Sequence, residues 1–503
     1  MLKCFFKIKI INCKKIYCAV FFSSIALSLA SSTAIAQQIQ FSPQRNSEIA
    51  YSSIASYHSS LSKFQQISSS DSLIDTLVIK KRFWRASGEL MLVQVIPWAF
   101  NYYVRDAEFA HISWESIKHN LKFSSWEWDD NSFNTNQFAH PYHGSMYFSA
   151  FRTNGYSFWQ SAPAAFAGSF MWETCGETHP PAQNDFINTS LGGISIGEMT
   201  YRFSNLIVNN HQRGFKRQVN EVLAFLVNPM NGFNRILDGR WGRVMGNPAD
   251  RVPSMLYGTL DAGYRRFSED INDVFTKGDN EFFVRANIQY GNPYQDFEKP
   301  FSNFSLIGEL GAADSSTLNN IQINGVLYGK HLKEDDEVNH VLTVTMNYDY
   351  IKNSVLQYGA QSFNFKLLSD HMYGEKSDIF TEAGIIGVAL GSIPDDYLYY
   401  GEGRNYDYGP GAGLLLGFKF NLADRFWWGT NYKGIWFQTL NGNESSFFLN
   451  VITTDFRYFV STQFSLSLNA GYFTQKGYYD DYDDVEKHYP YARIGVGYTI
   501  GSK

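Results

Sequence analysis

Residues 341–350 have the sequence VLTVTMNYDY, and this stretch decides the fold. Its apolar and aromatic side chains alternate without a break with polar ones, Leu342, Val344, Met346, Tyr348 and Tyr350 against Thr343, Thr345, Asn347 and Asp349. Successive side chains of a β-strand point to opposite faces of the sheet, so the alternation predicts a strand with one apolar and one wet face. A tilted strand needs about ten residues to cross a bilayer, and this stretch has that length.

The same period of two continues from about Met255 almost to the C-terminus. It recurs in FFVRANIQY (282–290), QFSLSLNAGY (463–472) and YARIGVGYTI (491–500), and about twelve such segments follow one another. A backbone group in hydrocarbon has no water to bond, so a sheet that crosses a membrane must close on itself. The pattern over 250–503 therefore predicts an all-β transmembrane barrel of about 12 antiparallel strands. A soluble β-sandwich with one wet face is the alternative.

The composition of the 503-residue chain agrees with a barrel. Aromatic residues make up 17% and charged residues 18%, and there are 40 glycines. This combination is more typical of a transmembrane β-barrel than of a helical membrane protein. The formal net charge is -6 and no segment forms a basic face. Nucleic acid is therefore not expected as a partner, because phosphate binding needs such a face.

The N-terminal segment predicts export. Residues 1–36 hold five lysines, then an apolar run, then Ala34-Ile35-Ala36 before Gln37, which is the pattern of a signal peptide. Residues 37–80 are rich in Ser and Gln and lack apolar periodicity, so we predict a disordered leader. Together with a barrel, export places the protein in the outer membrane of a Gram-negative bacterium, with membrane lipid as its partner.

Residues 81–240 have helical rather than strand periodicity. The stretch from Tyr156 to Glu177 is apolar nearly all round, so it must be buried in protein or lie against lipid. A second clear helix has its apolar residues at helical spacing, Phe215, Val219, Val222, Leu223 and Leu226, and ends at Asn228-Pro229. We predict an α-helical domain that plugs or caps the barrel.

Four motifs in this helical region carry a family resemblance. They are HPYHGS (140–145), GSFMWETCGE (168–177), NDFINTSLGGISIGEMTYR (184–202) and NPMNGFNR (228–235). In this order they resemble the bacterial family called domain of unknown function 3943, which occurs in exported proteins of Gram-negative bacteria. The resemblance covers roughly residues 83–238. The resemblance implies a domain boundary and an envelope location. It implies no enzymatic activity.

The same motifs contain the residues best suited to chemistry. The candidates for catalysis are His140, His143, Glu173, Glu177 and Asp185. Two carboxylates on an apolar helix are costly to bury without partners, and the histidines are suitable partners for them or for a metal. The spacing matches no named metal motif, so no cofactor is predicted and a divalent metal is left open. A metal-free site would use a histidine as general base beside Ser145 or Ser169.

A structural role for the same residues is the alternative. In that interpretation the acids and histidines join a polar network with Arg152, Glu198, Arg202 and Arg235 that holds the helices to the barrel. Two functions from different classes follow. One is a non-catalytic channel or envelope scaffold, and the other is a hydrolase of an envelope lipid or glycan.

Overall fold

The computed structural model describes residues 76–500 except 269–270, 272–273, 275, 312–316, 336, 354–355, 374–376, 400, 402 and 424. The predicted signal peptide (1–36) lies outside the described residues. So does the predicted leader (37–80), apart from residues 76–80.

The first part of the described chain is helical. The α-helices are α1 (Phe83–Phe100), α2 (Trp114–Asn120), α3 (His140–Arg152), α4 (Phe158–Met171), α5 (Gln183–Ile187), α6 (Gly193–Ile207), α7 (Gly214–Val227) and α8 (Pro229–Leu237). Wider π-helical turns occupy Asn101–Arg105, Thr135–Ala139, Trp172–Gly176 and Asn188–Gly192, and 3-10 turns occupy Glu108–Ala110 and Phe123–Ser125. None of the described helices combines the length and hydropathy that crossing a bilayer requires.

The second part is a β-barrel. Its strands are β1 (Leu256–Phe267), β2 (Asp279–Tyr290), β3 (Phe304–Gly311), β4 (Leu318–Glu334), β5 (Val338–Lys352), β6 (Gln357–Met372), β7 (Ser377–Pro394), β8 (Tyr406–Leu422), β9 (Phe426–Gln438), β10 (Ser445–Phe459), β11 (Phe464–Tyr479) and β12 (Val485–Ile500). Each strand pairs antiparallel with the next, and β1 pairs with β12, which closes the sheet. The prediction of a barrel of about 12 antiparallel strands after a helical region is confirmed.

Ion pairs between strands that are not neighbours identify the interior of the barrel. Lys433 on β9 donates to Asp349 on β5 at 2.9 Å, and Arg457 on β10 donates to Asp261 on β1 at 2.8 Å. Such pairs meet only across the inside of the barrel. Tyr348 and Tyr350 flank Asp349 along the strand, so they point outward.

Part of the interior is a packed apolar core. Its members are buried side chains that face inward from five strands, among them Tyr358, Ala360, Ile435, Phe437, Phe447 and Leu449. A barrel that encloses a water-filled channel has a polar interior wall. At this level the barrel is instead filled by its own side chains, as in small closed barrels.

The outward face of much of the wall is apolar and exposed. Leu414 and Leu416 on β8, Leu466 and Leu468 on β11, and Ile494 on β12 are each more than half exposed. These positions alternate with inward polar residues along each strand. This is the lipid-facing pattern of a barrel wall.

The helices pack against another part of the same outward face. The covered residues are outward-facing by register yet buried: Ile288, Tyr290, Phe304, Leu306, Ile321, Ile323, Met346, Tyr348, Tyr350, Tyr406 and Tyr408. They share one hydrophobic core with helical residues such as Phe133, Ile194 and Phe203. Phe203 makes edge contacts with the rings of Tyr290 and Phe304, and the Tyr348 hydroxyl donates to the carbonyl of Gln137 at 2.6 Å.

The prediction that the helices plug or cap the barrel is therefore wrong. They dock on the outer wall over β2 to β8. The alternation of side chains defines two faces of a strand but does not say what covers the apolar one. Ile323 under the helices and Leu416 in the exposed band are both aliphatic, so the sequence pattern alone does not separate a docking surface from a lipid surface.

Candidate metal centre

The candidate site is built where three π-helical turns come together. His140 opens α3 directly after the turn Thr135–Ala139, and Glu173 lies within the turn Trp172–Gly176. Asp185 lies on α5, which runs straight into the turn Asn188–Gly192. A π-turn widens the helix by one residue and redirects its side chains, and such turns are frequent at functional sites.

Close backbone contact brings these segments together. A methyl group on Gly144 of α3 would collide with the carbonyl oxygen of Thr189, and one on Gly193 would collide with the backbone of Gly144. The start of α3 therefore touches the turn that follows Asp185, backbone to backbone. Only glycine allows this approach, because any side chain would force the two segments apart.

Three side chains converge closely enough to hold a metal ion. Ligand atoms of His140, Glu173 and Asp185 all lie within 4.8 Å of one another. The Nε2 atom of His140 is 3.5 Å from the Oδ2 atom of Asp185. Glu173 and Asp185 are buried, whereas His140 retains some exposure, so one side of the cluster opens outward. One imidazole with two or more carboxylates is a plausible ligand set for Zn²⁺, Mn²⁺ or Fe²⁺.

Neighbouring groups fix the ligands in place. Glu173 accepts a hydrogen bond from the Ala182 backbone at 2.9 Å, and Asn184 donates to Asp185 at 2.7 Å. The same Asn184 amide donates to the hydroxyl of Tyr408 on the barrel wall at 3.1 Å. The barrel thereby helps to orient an acid of the site, as outer groups do in metal centres.

The described surroundings do not compensate the charge that these acids would carry if they were ionised. Burial raises the pKa of Glu173 to about 8, and the charge of Asp129 adds to that shift. Burial also raises the pKa of Glu177 and of Asp185 well above their usual range, again with repulsion from neighbouring carboxylates. Among the described residues, no lysine or arginine forms an ion pair with any of these four acids. A bound cation would supply the missing positive charge.

The second histidine has a different environment. The Nε2 atom of His143 lies 3.1 Å from the carbonyl oxygen of Val93, and its Nδ1 atom is 3.5 Å from the Tyr147 hydroxyl. Burial lowers the pKa of His143 to about 4, so its ring is neutral at ordinary pH. His143 is therefore bonded to α1 and to its own helix, and it is not one of the converging ligands.

The hydroxyl groups considered as nucleophiles do not face a histidine. Ser145 donates to the carbonyl of Tyr142 at 2.6 Å, and Ser169 donates to the carbonyl of Phe186 at 3.5 Å. Within the described chain neither serine forms a hydrogen bond with His140 or His143, so the geometry does not favour a serine–histidine pair.

The arginines of the expected network do not pair with Glu173, Glu177 or Asp185, although two of them pair with Glu198 of the same network. Arg152 and Arg202 both bind Glu198, at 2.7 and 2.9 Å. Arg235 binds Glu221 at 2.6 Å, and the fully buried Arg217 binds the same carboxylate at 2.8 Å. These ion-paired clusters are separate from the His140 cluster.

Sequence reasoning missed two contributors. Asp129 influences the charge state of every acid in the cluster, yet it stands in a run of acidic and aromatic residues without a motif. Asn120 donates to the carbonyls of Glu177 and His179 at 3.2 and 2.9 Å and so holds the end of the π-turn that carries Glu173. Cys175 on that turn is exposed.

Comparisons with known proteins identify a family resemblance and a barrel likeness. Residues 125–230 match the family model described as domain of unknown function (DUF3943). No curated protein matches the chain. Among solved structures, the NanC porin is 12% identical with a TM-score of 0.29, and the match covers 48% of this chain and 98% of that one. The KdgM porin is 10% identical with a TM-score of 0.23, covering 48% and 98%.

The anion-selective porin from Comamonas acidovorans is 9% identical with a TM-score of 0.22, and the match covers 49% of this chain and 98% of that one. These likenesses concern the barrel fold and carry no argument about function.

Proposed function

We propose that the protein is an outer-membrane hydrolase in which His140, Glu173 and Asp185 hold a divalent metal ion that activates water for attack on an envelope lipid or glycan. The observation that carries this proposal is the convergence of the three ligand atoms within 4.8 Å, in a cluster of acids that no described lysine or arginine neutralises.

The chemistry follows from the charge of the site. A divalent metal lowers the pKa of a bound water to near neutrality and polarises the bond under attack. The three ligands supply one neutral imidazole and two carboxylates, which leaves coordination positions for water and substrate. The charges of Glu177 and Asp129 act on the ligand acids, and we assign to one of these two carboxylates the proton that the water loses.

Location in the outer membrane is part of the proposal. The predicted export signal and the closed barrel with its outward apolar band both support it. Binding of membrane lipid by the barrel wall follows from the same surface. A substrate from the envelope is then available beside the site.

A scaffold is the second candidate, and one observation favours it. Arg217, Glu221 and Arg235 form a buried ion cluster that ties α7 and α8 together and also binds Asn210 and the backbone of Gly242, which is a structural use of charge in the helical domain. A channel is less well supported, because apolar residues such as Phe437 and Phe447 fill part of the barrel interior. The helices lie outside that interior and do not gate it.

Metal binding separates the enzyme from the scaffold. We expect the purified protein, stripped with chelator, to bind about one Mn²⁺ or Zn²⁺ per chain in calorimetry. Asp185→Asn and Glu173→Gln should weaken binding by at least about tenfold, since each removes a ligand charge. Glu115→Gln, on the exposed face of α2, is the matched control and should bind as the parent does. Equal binding by all four proteins would contradict the metal centre.

The proposed hydrolysis is tested on outer-membrane lipid and glycan. Outer-membrane vesicles incubated with the metal-loaded protein should release a new lipid or glycan product by mass spectrometry, and Asp185→Asn should not release it. Release of the same product by Asp185→Asn would rule out this site as its source. If the protein binds metal but releases no product, the metal has a structural role and the scaffold is favoured.

A further inference from the structure

The outer surface of the helical domain is unusually apolar. On α1 the exposed side chains include Trp84 (85%), Leu92 (46%) and Ile96 (63%), and residues 90–104 contain no charged side chain. Helix α4 contains no charged residue at all, and Trp159, Phe166 and Phe170 are exposed along one of its faces. A water-soluble surface rarely offers two whole helix faces without a charge.

These faces belong to a domain that is docked within the lipid-facing wall. On β2, Phe282 and Val284 are exposed while Ile288 and Tyr290, farther along the same outward face, lie under helices. On β6, Phe363 and Phe365 are exposed, and the neighbouring outward position Gln361 is covered. On β2 and on β6, the exposed apolar band of the barrel wall therefore runs directly up to the edge of the surface that the helices cover.

Acyl chains that contact the exposed band must also meet the helices beside it. A domain that covers part of a lipid-facing wall takes the place of lipid there, and its own outer surface then faces the surrounding bilayer. Polar helix surface in that position would be costly to bury in hydrocarbon. The uncharged faces of α1 and α4 avoid this cost.

We propose that the exposed faces of α1 and α4 lie among the acyl chains of the bilayer that surrounds the barrel. The helical domain is thus a membrane-inserted part of the protein that does not cross the membrane, held at its depth by the barrel wall. This inference stands on exposure and register and does not depend on the metal centre. Large aliphatic and aromatic side chains cover both faces, whereas close packing of helices in a membrane favours small residues. Lipid is therefore preferred over a second copy of the chain as the occupant.

Fluorescent probes at single cysteines test the proposal. In a background with the four native cysteines replaced by serine, Leu92→Cys and Phe166→Cys are labelled with an environment-sensitive fluorophore and reconstituted into phosphatidylcholine vesicles. Leu416→Cys on the exposed barrel band is the lipid control, and Asp481→Cys in the acidic loop between β11 and β12 is the water control. Vesicles with brominated acyl chains quench probes in lipid, and iodide quenches probes in water.

We expect the probes at Leu92 and Phe166 to be quenched by brominated lipid about as strongly as the probe at Leu416, and several-fold less by iodide than the probe at Asp481. Quenching by iodide at the level of Asp481 would place both faces in water and overturn the proposal. Protection from both quenchers would mean that protein covers the faces, and it would overturn the proposal equally. Heat-modifiable gel mobility of each labelled variant confirms that the barrel is folded.

Discussion

At the scale of single residues, Glu173 shows how burial and function are linked. Its carboxyl group is almost fully buried, accepts one backbone hydrogen bond and lies beside other acids. Burial without a cation is costly for a carboxylate, so the group keeps its proton unless a metal replaces it. The charge state of Glu173 should therefore report on metal binding.

Stability of the metal-free protein should fall as pH rises from about 5 to 8. The pKa of Glu173 is about 8 in the folded chain, raised from an ordinary value of 4.5 by burial. Between these values the folded state holds a proton that the unfolded state has released, so raising pH favours unfolding. The measurement is the urea midpoint, followed by tryptophan fluorescence in detergent. Glu173→Gln should show a shallower fall, and added Mn²⁺ should reduce it. A midpoint that is constant from pH 5 to 8 in the parent protein would contradict this expectation.

His143 should have the opposite effect at lower pH. Burial lowers its pKa to about 4 from 6.5, so the unfolded state takes up a proton before the folded state does as pH falls. Stability is then lost as pH falls from about 6.5 towards 4. His143→Gln should lose this part of the pH dependence, and the exposed His179→Gln should retain it. An identical acid-side slope in both variants would show that His143 is not responsible.

Removal of Glu221 should strongly destabilise the helical domain. Burial alone would raise the pKa of Glu221, but the hydrogen bonds and charges of Arg235 and Arg217 hold it below its usual range. Glu221→Gln leaves two buried guanidinium groups without a counter-charge, which typically costs about 3–5 kcal/mol. The free energy of unfolding should change by less than about 0.5 kcal/mol in the exposed control Glu115→Gln. A cost below about 1 kcal/mol for Glu221→Gln would mean that water replaces the carboxylate.

The candidate ligands were partly predictable from the sequence. Glu173 and His140 are polar residues in apolar stretches of the sequence. A buried polar group needs a partner, so both residues were expected to take part in a site or a network. The sequence did not separate His140 from His143, three residues away, because the π-turn before His140 decides which ring faces Asp185. Asp129 was missed because its link to the site is purely spatial.

At the scale of elements, the glycines between α3 and the turn before α6 set the geometry of the site. Gly144→Ala should destabilise the protein by about 1–3 kcal/mol, since the added methyl group collides with backbone that cannot rotate away. It should also weaken metal binding, because His140 and Asp185 lie on the two segments that would separate. Gly88→Ala on α1 is the control: nothing lies within 4 Å of the added carbon, and alanine favours the helix by about 1 kcal/mol.

Unfolding by urea and calorimetric metal titration together check this prediction. If Gly144→Ala and Gly88→Ala shift stability in the same direction, the close approach of α3 is not required.

The strands and the main helices were predictable because each follows a simple period of apolar residues. The π-turns were not, since a turn that is one residue wider leaves no periodic signal.

At the scale of the whole molecule, the barrel was predictable and the position of the helices was not. Closure follows from the alternation of side chains and the need to pair every backbone group. The docking surface uses the same aliphatic residues as the lipid band, so it carries no separate pattern. Outer-wall docking is nevertheless the central claim, because it brings Tyr408 to Asn184 beside the cluster of His140, Glu173 and Asp185, and because the proposed position of α1 and α4 in the bilayer depends on it.

One disulfide experiment tests this claim most directly. Gly359 points outward, and a side-chain carbon there would lie 2.9 Å from Cγ of Gln137, whereas Ala360 is opposite Asp349 and points inward. With the native cysteines replaced by serine, Gln137→Cys with Gly359→Cys should form a disulfide under mild oxidation, seen as a gel shift without reductant and by mass spectrometry. Gln137→Cys with Ala360→Cys should not. Cross-linking through position 360 and not through 359 would place the helices inside the barrel and contradict the account.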